Sequence, residues 1–312
     1  MFPAKLITLI SLFIFISPLF SQNIKDVKVK TDHGKLYGTL VSPDDEKNVP
    51  VVLIIAGSGP TDRNGNSMML QSNAYKMLAM SLAEQGIASL RYDKQGIGES
   101  ADAKMEDTEL TFEQLAEDAA EWIRFLKKKG DFSSITIIGH SQGSLIGMIT
   151  AQKESVDGFI SLAGAGSTID KILAKQLALG AADYKSDTDR ILSSLKKGDT
   201  THNVPVQLMS IFRPTIQPFL ISWIKYDPAK EITKLNIPTL IAQGTTDIQV
   251  ANEEAEILAS AVDKKVQFIE GMNHVLKVAP AERDENILTY YDPKLPIHKG
   301  LSPILVDFIK KF

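Results

Sequence analysis

The hydrophobic positions of this chain follow two different rhythms. Between Asp26 and Ser42, the runs VKVKT and KLYGTLVS alternate apolar and polar residues on either side of Asp32-His33-Gly34. Alternation broken by an Asp-x-Gly turn predicts an antiparallel hairpin at a sheet edge. Beyond it the strand-like runs change character. Val51–Ala56, entered through Pro50, is apolar at every position, and Ile87–Tyr92, Ile135–Ile138, Phe159–Ala163, Thr239–Ala242 and Val266–Ile269 repeat the theme. Such runs belong to parallel strands covered on both faces.

Helical periodicity fills the gaps. Thr111 starts the clearest helix, with Thr-Phe-Glu-Gln as a capping box and Gln114 at the third helical position. Phe112, Leu115, Ala116, Ala119, Ile123 and Leu126 share one face, and Gly130 closes the helix behind Lys127–Lys129, whose charges suit its negative end. Further helices are predicted near Ala74–Glu84 and Glu253–Val262. Strand–helix alternation of this kind predicts a mainly parallel sheet with right-handed crossovers.

The alternation stops between about Gly166 and Asn236. Helical spacing persists around Ile169–Leu179 and Ile191–Lys197, then Phe212, Pro214, Pro218, Phe219 and Trp223 follow. This segment, 166–236, is expected to be a helical cap inserted after the sixth core strand. Residues 22–165 and 237–312 form the core around it. The cap's apolar residues would lie over the carboxyl end of the sheet and line an acyl or alkyl pocket; a purely structural insertion is the plainer alternative.

Residues 1–21 have the layout of a secretory signal peptide. Lys5 precedes an apolar stretch, Leu6–Phe20, and small Ser21 precedes Gln22-Asn23. The stretch is short for a membrane span, which needs about 20 apolar residues. Cleavage after Ser21 is expected, giving an exported, secreted or periplasmic protein with no stable membrane span after signal removal. The uncleaved anchor is the alternative. There are no cysteines, so disulfides, thiolate metal sites and a cysteine nucleophile are excluded. A net charge of −4 without a basic cluster beyond Lys127–Lys129 gives no footprint for nucleic acid.

Candidate chemistry centres on Ile135–Gly143, ITIIGHSQG, where a strand-like run breaks into Gly-x-Ser-x-Gly. This is a nucleophile-elbow pattern, with small Gly139 and Gly143 flanking Ser141. A serine hydroxyl needs a base, and the base a carboxylate that holds its tautomer. In the chain order serine, acid, histidine, Asp247 follows the run TLIAQG, whereas Asp263 and Asp292 follow no predicted core strand. Of five histidines, His33 lies in the hairpin turn, His202 in the cap, His298 in the tail, and His140 beside the serine with its ring pointing away. His274, after VQFIEGMN, remains as the base. For the oxyanion, the N–H of Gln142 is one expected donor. The other is Ser58, with Gly59 the alternative, in the loop AGSGPTDRNGN, where Gly57 and Gly59 let the backbone curl over the site.

Together, GHSQG, the GSG-containing loop, Asp247, His274 and the segment RYDKQGIGES make the chain resemble the α/β-hydrolase superfamily. The resemblance covers essentially the whole chain after the signal. More narrowly, GSGPTDRNGN beside GHSQG is similar to bacterial serine carboxylesterases with a Gly-Ser-Gly-Pro-Thr-Asp-Arg oxyanion loop. The resemblance implies an α/β-hydrolase fold, hydrolysis of short-chain carboxylic esters through an acyl-enzyme, no cofactor and no metal. It implies Ser141, Asp247 and His274 as the triad and Ser58 with Gln142 as oxyanion donors, with Asp62 and Arg63 as braces of the loop. Two departures matter: Ala56 stands where His-Gly lipases carry histidine, and the elbow continues as Gly143-Ser144 rather than Gly-Gly. Alternatives are a serine aminopeptidase or amidase on the same fold, or a catalytically silent member that binds a small apolar ligand.

Overall fold

A computed structural model of the chain describes residues 22–43, 47–68 and 70–312; the expected signal segment, residues 1–21, lies outside them. Strands β1 (Gln22–Thr31), β2 (Gly34–Pro43), β3 (Val49–Ile55), β6 (Ala88–Tyr92), β7 (Phe132–His140), β8 (Gly158–Leu162), β9 (Thr239–Gly244) and β10 (Gln267–Ile269) form one sheet. A two-stranded hairpin, β4 (Asn66–Ser67) and β5 (Leu70–Gln71), stands apart. The large sheet runs in the order β1-β2-β6-β3-β7-β8-β9-β10. β1 pairs antiparallel with β2, and β2 with β6; every later pairing is parallel.

Helices cover both faces, which is why the central strands are apolar at successive positions. Val51, Leu53 and Ile55 of β3 face one cluster with α2 (Phe112–Lys129) and α3 (Gln142–Lys153), while Val52 and Ile54 face α1 (Ala74–Ala83) and α11 (Leu301–Ile309). Helix α9 (Asn252–Ala261) joins the first cluster through Ala255 and Leu258. The short α10 (Arg283–Leu288) precedes α11 in the C-terminal segment, and neither has a counterpart among the helices read from the sequence.

Only half of the expected capping box at α2 forms. Thr111 Oγ1 accepts from the Gln114 N–H at 3.3 Å, but the Gln114 side chain turns to Asp118 instead of back to the cap. Gly130 ends the helix with φ 70°, a left-handed conformation that costs glycine little.

Between β8 and β9 lie α4 (Ile169–Gly180), α5 (Lys185–Lys196), α6 (Met209–Phe212), α7 (Gln217–Ile224) and α8 (Pro228–Ile232). Helix α5 begins six residues before the apolar periodicity at Ile191. Its first turns, KSDTDR, carry little apolar signal and are stabilised instead by Lys185–Asp189 and Arg190–Asp187 ion pairs at helical spacing.

Polar ties fasten this segment to the sheet's helices. Buried Glu254 on α9 accepts from the Ser167 N–H at 2.8 Å and Lys175 Nζ at 2.7 Å. Buried Ser222 on α7 accepts from the Phe112 N–H at 2.8 Å, satisfying a donor at the start of α2 that has no intrahelical partner. Phe112 stacks on Trp223 at 5.2 Å between ring centroids. Ser222→Ala should leave that buried N–H unpaired and cost about 1–3 kcal/mol of stability, read as a lower urea midpoint with an unchanged slope.

Candidate active site

Four loops converge at the carboxyl ends of the parallel strands, the edge where open α/β sheets place their ligand crevice. After β7 the chain turns at Ser141 with φ 54° and ψ −121°, and α3 starts at the next residue. Ordinary side chains rarely adopt this conformation, which costs about 1–3 kcal/mol and persists only where the surroundings enforce it. The enforcement is a close backbone approach. A Cβ at Gly139 would sit 2.3 Å from the Gly143 carbonyl oxygen, and one at Gly143 would sit 2.2 Å from that of Ile55.

Asp247 follows β9 and His274 follows β10. Asp247 Oδ2 accepts from His274 Nδ1 at 2.7 Å, which leaves Nε2 as the imidazole's basic nitrogen. The other carboxylate oxygen accepts from the backbone N–H groups of Gln249 at 2.8 Å and Val250 at 2.9 Å. Burial alone would push this carboxyl up, but His274 and these N–H groups outweigh it and hold the group below the usual carboxylate range. Ser141 and His274 line the same recess, and no hydrogen bond joins their side chains among the described residues. Catalytic hydrogen bonds of this type commonly tighten only around substrate.

The loops that carry Asp247 and His274 are tied to each other. Asn273 Nδ2 donates to Asn286 Oδ1 at 3.1 Å and to Thr289 Oγ1 at 2.7 Å, while Asn286 Nδ2 donates to the Thr246 carbonyl at 2.8 Å. Thr246 immediately precedes Asp247 and Asn273 immediately precedes His274. No periodicity announces this bracket.

The loop after β3 faces the elbow. Lys94 Nζ, buried at the end of the β6 loop, donates to the carbonyls of Gly57 at 2.5 Å and Gly59 at 3.1 Å. In a trans peptide the N–H points opposite to the preceding C=O. Holding the Gly57 carbonyl on Lys94 therefore turns the Ser58 N–H away from the lysine. The Ser58 N–H donates to no protein acceptor among the described residues, and the Gln142 N–H, at the first position of α3, has no intrahelical acceptor. Burial pushes the Lys94 ammonium down to about 8. Asp62 and Arg63 act further along the loop. Asp62 Oδ1 accepts from the N–H groups of Asn64 at 2.8 Å and Asn66 at 2.9 Å, the Arg63 N–H donates to Asp93 at 2.7 Å, and the Arg63 guanidinium pairs with Glu99.

Above the elbow lies a cavity of about 660 Å³, bounded by Ser58, Ser141 and Gln142 below and by apolar residues of α4 and α7 above. Among the described residues, no group of three or more His, Cys, Asp or Glu side chains could hold a metal.

Comparison with known structures decides the fold. Est1E from Butyrivibrio proteoclasticus superposes with a TM-score of 0.60 at 18% identity, covering 91% of this chain and 99% of that one. The α/β hydrolase GrgF from Penicillium sp. sh18 gives 0.58 at 17% identity, covering 93% and 98%. This chain has the α/β-hydrolase fold. A family model for serine aminopeptidases, S33 (Hydrolase_4) matches residues 68–205. The esterase EstD of Thermotoga maritima is 28% identical over 261 residues, 81% of this chain and 60% of that protein. The chain thus spans about 60% of the length of that curated relative. It shares that fold with these structures and is similar in sequence to an esterase.

Within this fold, His140, the residue before Ser141, is an internal strut. His140 Nε2 donates to the His274 carbonyl at 2.9 Å, so its Nδ1 is the acceptor in the neutral ring. Tyr75 Oη donates to that Nδ1 at 2.8 Å and accepts from the Gly57 N–H at 3.1 Å. One hydrogen-bonded chain therefore links the loop after β3, the turn at Ser141 and the loop after β10. The ring's partners were not legible in sequence.

Burial, and then neighbouring His274, push the His140 imidazole down to about 3. A group whose folded value lies below its unfolded value of about 6.5 contributes stability that is full above that pH. The contribution is lost as pH falls toward 3, by about 1.4 kcal/mol per pH unit for one proton. Urea denaturation between pH 6 and 4 should give a slope steeper by about one proton for the wild-type protein than for His140→Gln. Equal slopes would show that His140 takes no part in acid unfolding.

Proposed function

We propose that this α/β hydrolase is a serine carboxylesterase acting through an acyl-enzyme. Ser141 Oγ attacks the ester carbonyl carbon while His274 Nε2 takes its proton, and Asp247 stabilises the resulting imidazolium. The N–H groups of Ser58 and Gln142 receive the negative oxygen, the latter aided by the positive end of α3. As the tetrahedral intermediate collapses, the C–O bond to the alcohol breaks and His274 returns the proton to the departing oxygen. Water then repeats the sequence on the acyl-enzyme, releasing the carboxylic acid and restoring Ser141. The observation that carries this reading is the 2.7 Å Asp247–His274 bond beside a serine held at φ 54°, with Ser58 and Gln142, whose N–H groups have no protein acceptor among the described residues, lining the same cavity as that serine. Similarity to the esterase EstD supports it. Short-chain acyl esters are the substrates that the sequence resemblance implies.

A second reading, a serine aminopeptidase, is favoured by the description of the matching family model. Such an enzyme needs a free carboxylate for the substrate amine. The acidic side chain lining the large cavity, Asp107, is instead paired with Arg213 at 3.0 Å, and the pairing holds its carboxyl below the usual range. Export remains a further part of the proposal, supported by the Leu6–Phe20 stretch; an N-terminus at Gln22 in protein recovered from outside the cytoplasm would bear it out. Among the described residues, no helix is long and apolar enough to cross a membrane.

Acid release from methyl and ethyl acetate and butyrate, run beside an aminoacyl anilide, tests the assignment. Ester turnover should fall by at least about 10⁴ in Ser141→Ala; turnover retained in that variant overturns the mechanism, and turnover of the anilide alone promotes the aminopeptidase. Lys94→Met should lower kcat tenfold or more with little change in KM, because a misdirected oxyanion donor affects the transition state more than the bound ester. The ceiling is the roughly 10²–10³ lost when such a donor is removed outright.

A further inference from the structure

Two cavities of very different size meet at Ser141 and Ser58. The larger, about 660 Å³, lies on the cap side and is walled by Leu145, Ile172, Leu173, Phe219 and Trp223. The smaller, about 100 Å³, lies on the other side and is walled by Leu70, Tyr75, His274 and Val275. His274 lines the small cavity and does not line the large one.

That asymmetry has a chemical consequence, which rests on the esterase reading above. The proton that His274 returns must reach the leaving oxygen, so that oxygen has to come within about 2.6–3.2 Å of the imidazole. The alcohol half of the ester is therefore held on the small side. The acyl group leaves the carbonyl carbon in the other direction, toward the cap. We infer that the cleft sorts an ester by size, and that the substrate class is methyl- or ethyl-type esters of extended or aromatic apolar acids, in place of the short-chain acids that the sequence resemblance implies.

The volumes bear on both halves. A cavity of about 150 Å³ is enough to hold benzene, so about 100 Å³ accommodates methanol or ethanol and excludes an aromatic alcohol. Pockets of roughly 300–1,000 Å³ enclose drug-sized ligands, which places the cap-side cavity well beyond the needs of an acetyl or butyryl group. Its charged groups are already engaged: Asp107 with Arg213, and Lys94 with the carbonyls of Gly57 and Gly59. An uncharged acyl chain suits the remaining surface. Each methylene buried there is worth roughly fourfold in kcat/KM, the equivalent of its transfer from water.

The test is a grid of alkyl esters, followed by acid release at constant pH: methyl, butyl and benzyl esters of acetic, decanoic and 3-phenylpropanoic acids. At constant methanol, kcat/KM should rise at least tenfold from acetate to decanoate. At constant acid, it should fall at least tenfold from methyl to benzyl. Two variants separate the sides. Leu173→Trp should cut the decanoate-to-acetate ratio at least tenfold while the benzyl-to-methyl ratio stays put, and Leu70→Ala should raise the butyl-to-methyl ratio at least fivefold while the acyl ratio stays put. Circular dichroism of both variants checks that they fold, and each alone reports on its own side. Hydrolysis with no size asymmetry, or with the reverse one, overturns the sorting and leaves the esterase reading standing. Turnover of no ester in the grid overturns both.

Discussion

The cleft depends on one tight approach of backbone, where β7, paired beside β3 in the sheet, turns into α3 against the end of β3. At Gly139 and Gly143 the chains approach so closely that a single methyl group would collide with a carbonyl oxygen. That approach holds Ser141 at a positive φ and sets it, with Gln142 at the first position of α3, on the wall of the larger cavity. Loosening it would let the serine relax toward an ordinary conformation. The strain is small beside the burial energy of the two hydrophobic layers that clamp the sheet, so the fold can sustain it.

Around this approach, polar side chains are spent on holding backbone rather than on solvent. Lys94 grips two carbonyls of the loop after β3, Tyr75 grips that loop's Gly57 N–H, and His140 joins Tyr75 to the carbonyl of His274. Asn273 and Asn286 do the same for the loops after β9 and β10. Loops are ordinarily the mobile part of such a sheet. Here each is pinned through a buried donor or acceptor whose loss would leave a desolvated polar group behind, and that penalty is what keeps the donors and the imidazole in register. Neutral His140 is part of this design, since a charged ring could not accept from Tyr75.

The segment between β8 and β9 supplies the shape of the cleft instead of its chemistry. It is attached through a few buried polar points, Glu254 and Ser222 among them, and through the stacking of Phe112 on Trp223. Its apolar residues close one side of the serine while the short hairpin β4–β5 and the His274 loop close the other. The two sides are therefore built from unrelated pieces of chain, which lets their volumes differ.

Much of this was legible in the residue order because the constraints behind it are local. A strand buried on both faces must be apolar throughout, as Val51–Ile55 is, and a backbone approach without room for a Cβ must carry glycine, as at Gly139 and Gly143. A turn that lifts one serine needs both. Those requirements are met within a few residues, so a mainly parallel sheet covered by helices and the turn at Ser141 could be read directly, while the α/β-hydrolase fold entered through resemblance. What waited for tertiary structure depends on residues far apart in the chain. Lys94 looks like any loop lysine until the loop after β3 folds over it, and His140 gains its role only when Tyr75 and His274 arrive from 65 and 134 residues away. The start of α5 was hidden because its first turns are held by surface charge pairs without apolar spacing. The unequal cavities on either side of Ser141 belong to no single segment, since a volume is set by how distant walls pack and leaves no trace in local periodicity.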